Sequence, residues 1–438
     1  MAKAYKAKWI IPSDDNIYTD CALIVDEGKV QEIIKQEDLK EEQYSTVRDF
    51  GNSVITPGFV NLHNHLQYTD LQMSKKQDFK RRLKRFYTIF KKYYFLTGIS
   101  RKSFVYRLSN LLSDYFCMTK EEKVASFKKG IELSLLNGTT CVAQLSKESK
   151  YFDVLNEMPL KTYLFFELFS DSVENSKDEF RNIQKKIEKL KKQKSDSTFI
   201  GIAPHSVCCV HKRLFKILEK YCKKYNILMT IRLAESQDEI DWLKHGFSDI
   251  DLLNEFTGHK KFDPFAKDLT PAKYLKELGI LSKQLLISYG NYLTDEDLEI
   301  LKEYKVSLAY CPRVSDNLHN KKLYFDKVLK YFPKRFGFGV NSMAFNKDLS
   351  LLNELRYVNN GALDTLEAIK YLTIIPAKIL RLNNTIGSLE IDKDADFNVF
   401  ELEENEDYNA LLDKQRPKHV YINARRIIKD YTLNIKTK

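Results

Sequence analysis

The sequence predicts an α/β protein: a (β/α)8 barrel of the TIM type with a small β-sandwich built from both ends of the chain. Three observations support this fold class. Eight short apolar runs alternate with longer amphipathic stretches between residues 54 and 341. Most runs carry β-branched and aromatic residues on both faces, as strands of a buried parallel sheet do. Both ends of the chain instead show short alternating strands and no long helical pattern.

The eight apolar runs are the predicted barrel strands. Helical patterns separate them, for example at 212–225 and 294–304, and Thr294 followed by Asp297 is a helix-capping arrangement. Such a barrel carries its chemistry at the C-terminal ends of the strands. In chain order the runs are 54–63, 139–146, 161–169, 198–205, 226–234, 284–290, 305–312 and 335–341.

The two ends of the chain form the second predicted unit. The stretches 8–34 and 387–430 alternate in hydrophobicity, and "DEGK" and "KDAD" within them are turn signals typical of hairpins. Two β-rich ends that flank a barrel can pair into one small sheet domain. We therefore predict a sandwich of residues 1–56 and 388–438 and a barrel of residues 57–387.

The composition is that of a folded protein from a reducing compartment. Of the 438 residues, 43% are hydrophobic, which is enough for a large core and argues against disorder. The seven cysteines show no CxxC spacing, so neither a zinc knuckle nor a disulfide framework is predicted. No apolar h-region opens the chain and no run of about 18 apolar residues occurs. We expect a cytoplasmic protein with no signal peptide and no membrane span.

One short stretch draws attention to metal chemistry. In "PGFVNLHNHL", residues 57–66, His63 and His65 stand two apart at the end of a predicted strand. Side chains at this spacing point to the same face, so both imidazoles can aim at one point. A metal ion is the commonest reason for such convergence, although two histidines alone do not hold zinc.

Several motifs carry a resemblance to a known family. "VITPGFVNLHNHL" resembles the first-strand signature of the amidohydrolase superfamily, and "GSLEIDKDADFNVF" resembles its C-terminal return into a β-sandwich. "LTPAKYLKELGIL", "LTDEDLEIL" and "VSLAYCPRVSDNL" are similar to the aminohydrolase clade, which includes guanine, adenosylhomocysteine and aminofutalosine deaminases and triazine chlorohydrolases. The resemblance implies a hydrolase of carbon–nitrogen bonds in which one divalent metal ion activates water.

Four residues match the functional positions that this resemblance implies. His63 and His65 match the metal-binding pair of the first strand. Glu235, in "RLAE", matches a proton-shuttling glutamate, which makes it the candidate catalytic residue. His205, in "APHS", matches a histidine that meets the substrate.

Five positions depart from the family pattern, and two of them, Tyr292 and Tyr310, stand where histidines often occur. Arg232 stands where the family has a metal-binding histidine, and Asn341 stands where an aspartate binds the metal. Tyr289 replaces a histidine that assists catalysis at the end of strand six. Of the four metal ligands that the resemblance implies, two remain.

The charges of these side chains disfavour a metal ion. Two imidazoles and a neutral amide would share the site with a guanidinium that stays protonated under all ordinary conditions. A positive charge about 4 Å from a dication is repelled by several kcal/mol even at an effective dielectric of about 20. We therefore predict a metal-poor or metal-free site with Arg232 as a fixed cation. The alternative is a His63, His65 and Glu235 set that holds one zinc or iron ion, with Arg232 turned onto Glu167 or Glu235.

Two functions follow from these residues. The first is a ligand-binding protein, catalytically impaired or repurposed, in which Arg232 grips an anion while His205 and Glu235 orient a polar, purine-like ring. Tyr289 and Asn341 complete the ligand-binding cup. The second is an active metal-dependent aminohydrolase that acts on a nucleobase- or nucleoside-like substrate.

The excess of basic residues raises the question of whether nucleic acid is a partner. The chain has 71 Lys and Arg against 60 Asp and Glu, a net charge of +11, and the excess is concentrated in helical patterns such as 75–96. Solvated lysine faces explain this better than a nucleic-acid surface, so nucleic acid is not an expected partner. Core packing is the first interpretation of the aromatic stripe in 75–96. By the family resemblance, a lid over the barrel mouth and a contact within a homodimer are the alternatives.

Overall fold

The secondary structure follows the predicted alternation of strands and helices. A computed structural model describes residues 1–13, 15–71, 103–193 and 195–434. The segment 75–96, with its predicted amphipathic helix, lies outside the described residues. The strands are β1 Lys3–Ile10, β2 Tyr18–Asp26, β3 Lys29–Lys35, β4 Thr46–Asp49, β5 Ser53–Pro57, β6 Phe59–Asn64, β7 Thr139–Ser146, β8 Lys161–Leu168, β9 Thr198–Pro204, β10 Met229–Leu233, β11 Leu285–Tyr289, β12 Ser307–Tyr310, β13 Phe336–Phe338, β14 Phe397–Glu401, β15 His419–Ile422, β16 Arg425–Lys429 and β17 Thr432–Leu433.

The helices of the described residues lie mainly between the barrel strands. Short 3-10 helices span Gln36–Asp38, Glu41–Gln43, Leu66–Tyr68 and Tyr408–Asp413. The α-helices are α1 Phe104–Cys117, α2 Lys120–Leu136, α3 Tyr151–Glu157, α4 Val173–Lys192, α5 Lys212–Tyr225, α6 Gln237–His245, α7 Asp249–Phe256, α8 Pro271–Leu278, α9 Asp295–Glu303, α10 Pro312–His319, α11 Phe325–Tyr331, α12 Leu351–Asn359, α13 Thr365–Leu372 and α14 Ile374–Ile379. None of the helices in the described residues is both long and apolar enough to cross a membrane.

Strands β6 to β13 form the barrel. They pair in chain order within one eight-stranded sheet, and every pair between neighbours is parallel. A parallel bridge between Asn64 and Asn341 links the first strand to the end of the last, so the barrel is nearly closed. Each of the eight predicted runs overlaps one of these strands. The predicted fold class is confirmed.

The first predicted run, 54–63, divides between two sheets. Its beginning is β5, which pairs with β14 in the terminal sheet, and its end is β6, which pairs with β7 in the barrel. Gly58 separates the two strands at a point where a Cβ atom would overlap the side chain of Thr140. A glycine is therefore needed where the chain passes from one sheet to the other.

The terminal strands join into one sheet that curls over its own core. Their order is β17-β16-β15-β14-β5-β1-β2-β3, with β4 alongside β1. The ring of Tyr5 in β1 packs 5.0 Å from Phe397 and 5.2 Å from Tyr421. In a flat sheet these residues would lie about 10 and 14 Å away, two and three strand spacings along. The predicted sandwich of both chain ends is thus a single curled sheet.

Local signals in the sequence are confirmed by backbone geometry. In the "DEGK" turn, Glu27 and Gly28 have φ angles of 47° and 80°, which suit the tight hairpin between β2 and β3. Thr294 caps α9 and forms a reciprocal capping box with Asp297. Helix α5 covers the predicted range 212–225.

A buried ion cluster joins the terminal sheet to the barrel. Lys161, the first residue of β8, places its Nζ 2.9 Å from Asp394 Oδ2 and in contact with Asp396 Oδ2. It also donates to Asn423 Oδ1 at 3.0 Å. The side chains of Lys161 and Asp396 are 6% and 3% exposed. The two aspartates and Asn423 belong to the C-terminal part of the chain, so this lysine connects the two predicted units.

Candidate functional site

The predicted site residues meet at one end of the barrel because its strands are parallel. His65 directly follows β6 and His205 directly follows β9. Arg232 lies in β10, Tyr289 ends β11, and Asn341 follows β13. All five line one cavity at the C-terminal ends of the strands, where a (β/α)8 barrel carries its chemistry.

Arg232 occupies the centre of this group. Its Nη1 donates to Nε2 of His205, and its Nη2 lies 2.7 Å from Nε2 of His65. The same Nη2 forms an ion pair with Oε1 of Glu167 at 2.9 Å. The guanidinium thus contacts two imidazole nitrogens and one carboxylate. These groups belong to residues at the ends of three different strands.

The charges of these groups follow from their burial. Although burial lowers the pKa of Arg232, Glu167 and Glu235 raise it above its ordinary value, so the guanidinium stays charged. Burial and the neighbouring Arg232 hold the pKa values of His65 and His205 well below the ordinary value. Both rings are therefore neutral at physiological pH and can accept hydrogen bonds from the guanidinium.

His63 lies beneath the cavity rather than in its wall. Its ring is fully buried, and its Nε2 is 3.3 Å from the hydroxyl of Tyr289. That hydroxyl accepts a hydrogen bond from Nδ2 of Asn341. His63, Tyr289 and Asn341 therefore form one polar chain that runs from beneath the cavity into its floor.

Glu235 faces the cavity from the end of β10. Its Oε1 is 3.8 Å from Nε2 of His319, at the end of α10. The carboxylate of Glu239 accepts from the backbone N–H groups of Ala234 and Glu235 at 2.9 and 3.1 Å, which fixes this turn. The polypeptide at Glu235 is thus held firmly while its side chain remains available to a ligand.

The backbone adopts left-handed conformations at several strand ends of the site. Ala234, Tyr289 and Asn341 have φ angles of 51°, 75° and 59°. Residues other than glycine adopt such left-handed conformations at some energetic cost, and these conformations concentrate at functional sites. Each of the three lies just at or after the end of a barrel strand.

The cavity has a polar floor and an apolar wall. Its volume is 330 Å³, within the range of small-molecule sites. Helix α1 supplies Phe104, Leu108 and Leu112 to the wall. The floor consists of the polar groups described above, together with Lys147 and Glu148 at one side.

Comparison with known proteins identifies the family. A family profile described as "Amidohydrolase family" matches residues 54–427, most of the chain. The chain belongs to the amidohydrolase family. The resemblance that the strand-one motif "VITPGFVNLHNHL" indicated is confirmed.

Several similar proteins are named deaminases. A 5-methylthioadenosine/S-adenosylhomocysteine deaminase of Clostridium tetani is 25% identical over 313 residues, 69% of this chain but only 64% of that protein. The aminodeoxyfutalosine deaminase of Nitratiruptor is 23% identical over 433 residues, 96% of this chain and 98% of that protein. The structure of Helicobacter pylori aminofutalosine deaminase with methylthio-coformycin matches with a TM-score of 0.77 at 21% identity, covering 97% of this chain and 100% of that one. This likeness establishes the amidohydrolase fold.

As placed in this structure, the side chains of this amidohydrolase-family site contact one another instead of presenting a set of metal ligands. Histidine binds metals through a nitrogen lone pair, and Nε2 of both His65 and His205 faces the guanidinium of Arg232 instead. Over the described ranges, no group of three or more His, Cys, Asp or Glu side chains is arranged to hold a metal. A dication would also meet the buried charge of Arg232. In this structure Arg232 contacts Glu167 and both histidines at once. The alternative set of His63, His65 and Glu235, with Arg232 turned away, stays a prediction.

Two cavity residues, Glu167 and Lys147, and the neighbouring His319 were not among the predicted site residues. Glu167 lies near the end of the predicted strand 161–169 and was considered only as an alternative partner of Arg232; the structure shows this pair at 2.9 Å. Lys147 directly follows the predicted strand 139–146. Because site residues of a barrel lie at strand ends, this position was enough to predict it as a site residue. His319 belongs to a helix after β12, and no sequence signal places it beside Glu235.

Proposed function

We propose that this amidohydrolase-family protein binds a small nucleoside-like ligand at the barrel mouth without a resident metal ion. One observation carries the proposal: the buried guanidinium of Arg232 engages His65, His205 and Glu167 where the histidine lone pairs converge. With those lone pairs engaged, the arrangement favours binding over metal-assisted hydrolysis. The seven cysteines, all buried and free of disulfides, support a cytoplasmic location.

The cavity supports a ligand with a polar ring and an apolar part. Glu235 can accept a hydrogen bond from a ring amino group, while His205, Tyr289 and Asn341 complete the polar floor. The apolar wall of α1 suits the less polar part of the ligand. The names of the relatives above include 5-methylthioadenosine and S-adenosylhomocysteine, which supports a purine nucleoside as the ligand class.

Binding should survive removal of metals. We expect 5-methylthioadenosine or adenosine to raise the thermal unfolding midpoint equally with and without a chelator, because ligand that binds only the folded state stabilises it. Glu235→Gln should weaken binding about tenfold, since a charged acceptor becomes a neutral amide. Glu157→Gln, at an exposed surface carboxylate, is the matched control. If no nucleoside or nucleobase shifts the midpoint, the binding proposal is wrong.

Metal content provides the second test. Protein expressed with added zinc, iron and manganese and then desalted should contain close to no metal per chain, as measured by elemental analysis. The double variant Arg232→His with Asn341→Asp restores the family's ligand types and should bind about one equivalent. A wild-type chain that retains stoichiometric metal would contradict the charge argument.

Metal-dependent deamination is the second candidate function, and the position of Glu235 favours it. This carboxylate lines the cavity at the end of β10, where the family resemblance places a proton-shuttling glutamate. The candidate requires ammonia release from adenosine or 5-methylthioadenosine that a chelator abolishes and that His63→Ala also abolishes. Turnover that is indifferent to both treatments would reject it.

A further inference from the structure

We propose that Lys147 binds an anionic group, a phosphate or carboxylate, carried by the ligand of this cavity. The proposal rests on the proposed function, because it concerns the same ligand. It assigns the anion to Lys147 rather than to Arg232, which the sequence analysis favoured.

The position of Lys147 brings its ammonium into the ligand space. The residue directly follows β7, and its side chain lines the cavity and is exposed to it. Its Nζ lies 3.4 Å from the ring centroid of Phe169. The ring of Phe169 in turn packs 4.6 Å from that of His205. The side chain is exposed, and its ammonium lies over an aromatic face at the edge of the cavity.

The cation has no counter-ion within the described part of the chain. No salt bridge joins Lys147 to a carboxylate there, and two acidic residues of the cavity, Glu167 and Glu148, pair with other side chains. Glu167 pairs with Arg232 at 2.9 Å. Glu148 pairs with Lys150 and accepts from the hydroxyl of Tyr115 at 2.6 Å. A ligand anion would provide the missing partner.

The electrostatics of this position agree with an anionic ligand. The side chain of Lys147 is exposed, and desolvation by the surrounding protein lowers its pKa although Glu167 and Glu179 act to raise it. A cation without a bonded partner is stabilised when an anion reaches it. Arg232 gains less from an anion, since Glu167 already balances its charge.

The arrangement also gives the ligand a direction. Lys147 follows β7, the second barrel strand, and Glu235 follows β10, the fifth. In an eight-stranded barrel, strands four places apart are directly opposite, so strands three places apart lie on well-separated sides of the mouth. A ligand can therefore place a hydrogen-bond donor on Glu235 and an anion on Lys147 at its opposite end.

Adenosine and adenosine 5′-monophosphate are suitable probes, because they differ only by the phosphate. Isothermal titration at low salt should show the monophosphate binding about 10- to 100-fold more tightly to the wild type, the range for one charge-assisted hydrogen bond. Lys147→Met should bring the two affinities to a ratio near one, and Lys147→Arg should keep most of the preference. Lys128→Met, at a surface lysine, is the control and should keep all of it. S-adenosylhomocysteine against 5-methylthioadenosine adds an α-amino acid group, and the part of the affinity difference that Lys147→Met removes tests its carboxylate.

The outcomes separate this proposal from the proposed function. A preference for either the phosphate or the carboxylate ligand that Lys147→Met removes supports it and identifies the anion. Equal affinities of charged and neutral ligands for the wild type, or a preference that persists in Lys147→Met, would overturn it while leaving nucleoside binding intact. If neither charged nor neutral ligands bind, the proposed function is wrong, and the proposal for Lys147 falls with it.

Discussion

Replacing Arg232 with methionine is expected to lower the free energy of unfolding by about 3–5 kcal/mol, the cost of breaking a buried ion pair. The side chains of Arg232 and Glu167 are only 11% and 8% exposed. Methionine has a similar length but leaves the carboxylate of Glu167 buried without its cation. Two neutral histidines also lose their donors. Urea unfolding followed by the fluorescence of Trp242, which is fully buried in α6, measures the loss.

Further variants show whether the ion pair itself is responsible. Arg232→Met combined with Glu167→Met removes both charges, so it should recover most of the stability. Arg232→Lys should lie in between, because one compact ammonium cannot reproduce the forked contacts of a guanidinium. Arg181→Met is the matched control: its pair with Asp178 is 67% and 66% exposed and should contribute at most about 0.5 kcal/mol.

The size of this effect bears on function as well as stability. A loss in Arg232→Met no greater than in Arg181→Met would mean that Arg232 is not a structural cation of the barrel mouth. The histidines could then release it at little cost, and the metal-dependent candidate would gain support. A large loss that Glu167→Met reverses would support the view that the site is built around the guanidinium.

The barrel was predictable because its signals are local. Each strand is a short run of apolar residues, and turns such as Glu27–Gly28 and the cap at Thr294 depend on neighbours within a few positions. The split at Gly58 was less visible, since both halves of the run are equally apolar and only packing against Thr140 reveals the break. The predicted division into 1–56, 57–387 and 388–438 stays a prediction that the strand pairing supports.

The site was predictable only in part. The sequence placed His65, His205 and Arg232 at strand ends, because parallel strands bring such positions together. The sequence did not determine which side chains these three residues contact. The pairing of Arg232 with Glu167, and the lack of a counter-ion for Lys147 in the described residues, depend on side-chain geometry across the barrel mouth. A single sequence carries no signal for such contacts between distant strands.

Replacing Lys161 with methionine is the second change expected to cost about 3–5 kcal/mol, for a related reason. Its ammonium lies between two carboxylates, 2.9 Å from Asp394 and in contact with Asp396. Although burial lowers the pKa of Lys161, the two aspartates raise it, so the lysine is charged in the folded protein. Without it, two negative charges remain close together and enclosed between the barrel and the terminal sheet.

A matched control lies on the same carboxylate. Lys29 also pairs with Asp394, but its side chain is 44% exposed, so Lys29→Met should cost less than about 1 kcal/mol. The two tryptophans separate the units in this experiment, because Trp9 belongs to β1 of the terminal sheet and Trp242 to α6 beside the barrel. If Lys161 joins the units, Lys161→Met should let the region around Trp9 unfold at lower urea than the region around Trp242. Equal small losses in Lys161→Met and Lys29→Met would instead mean that the ion pairs of Lys161 are not what holds the curled sheet to the barrel.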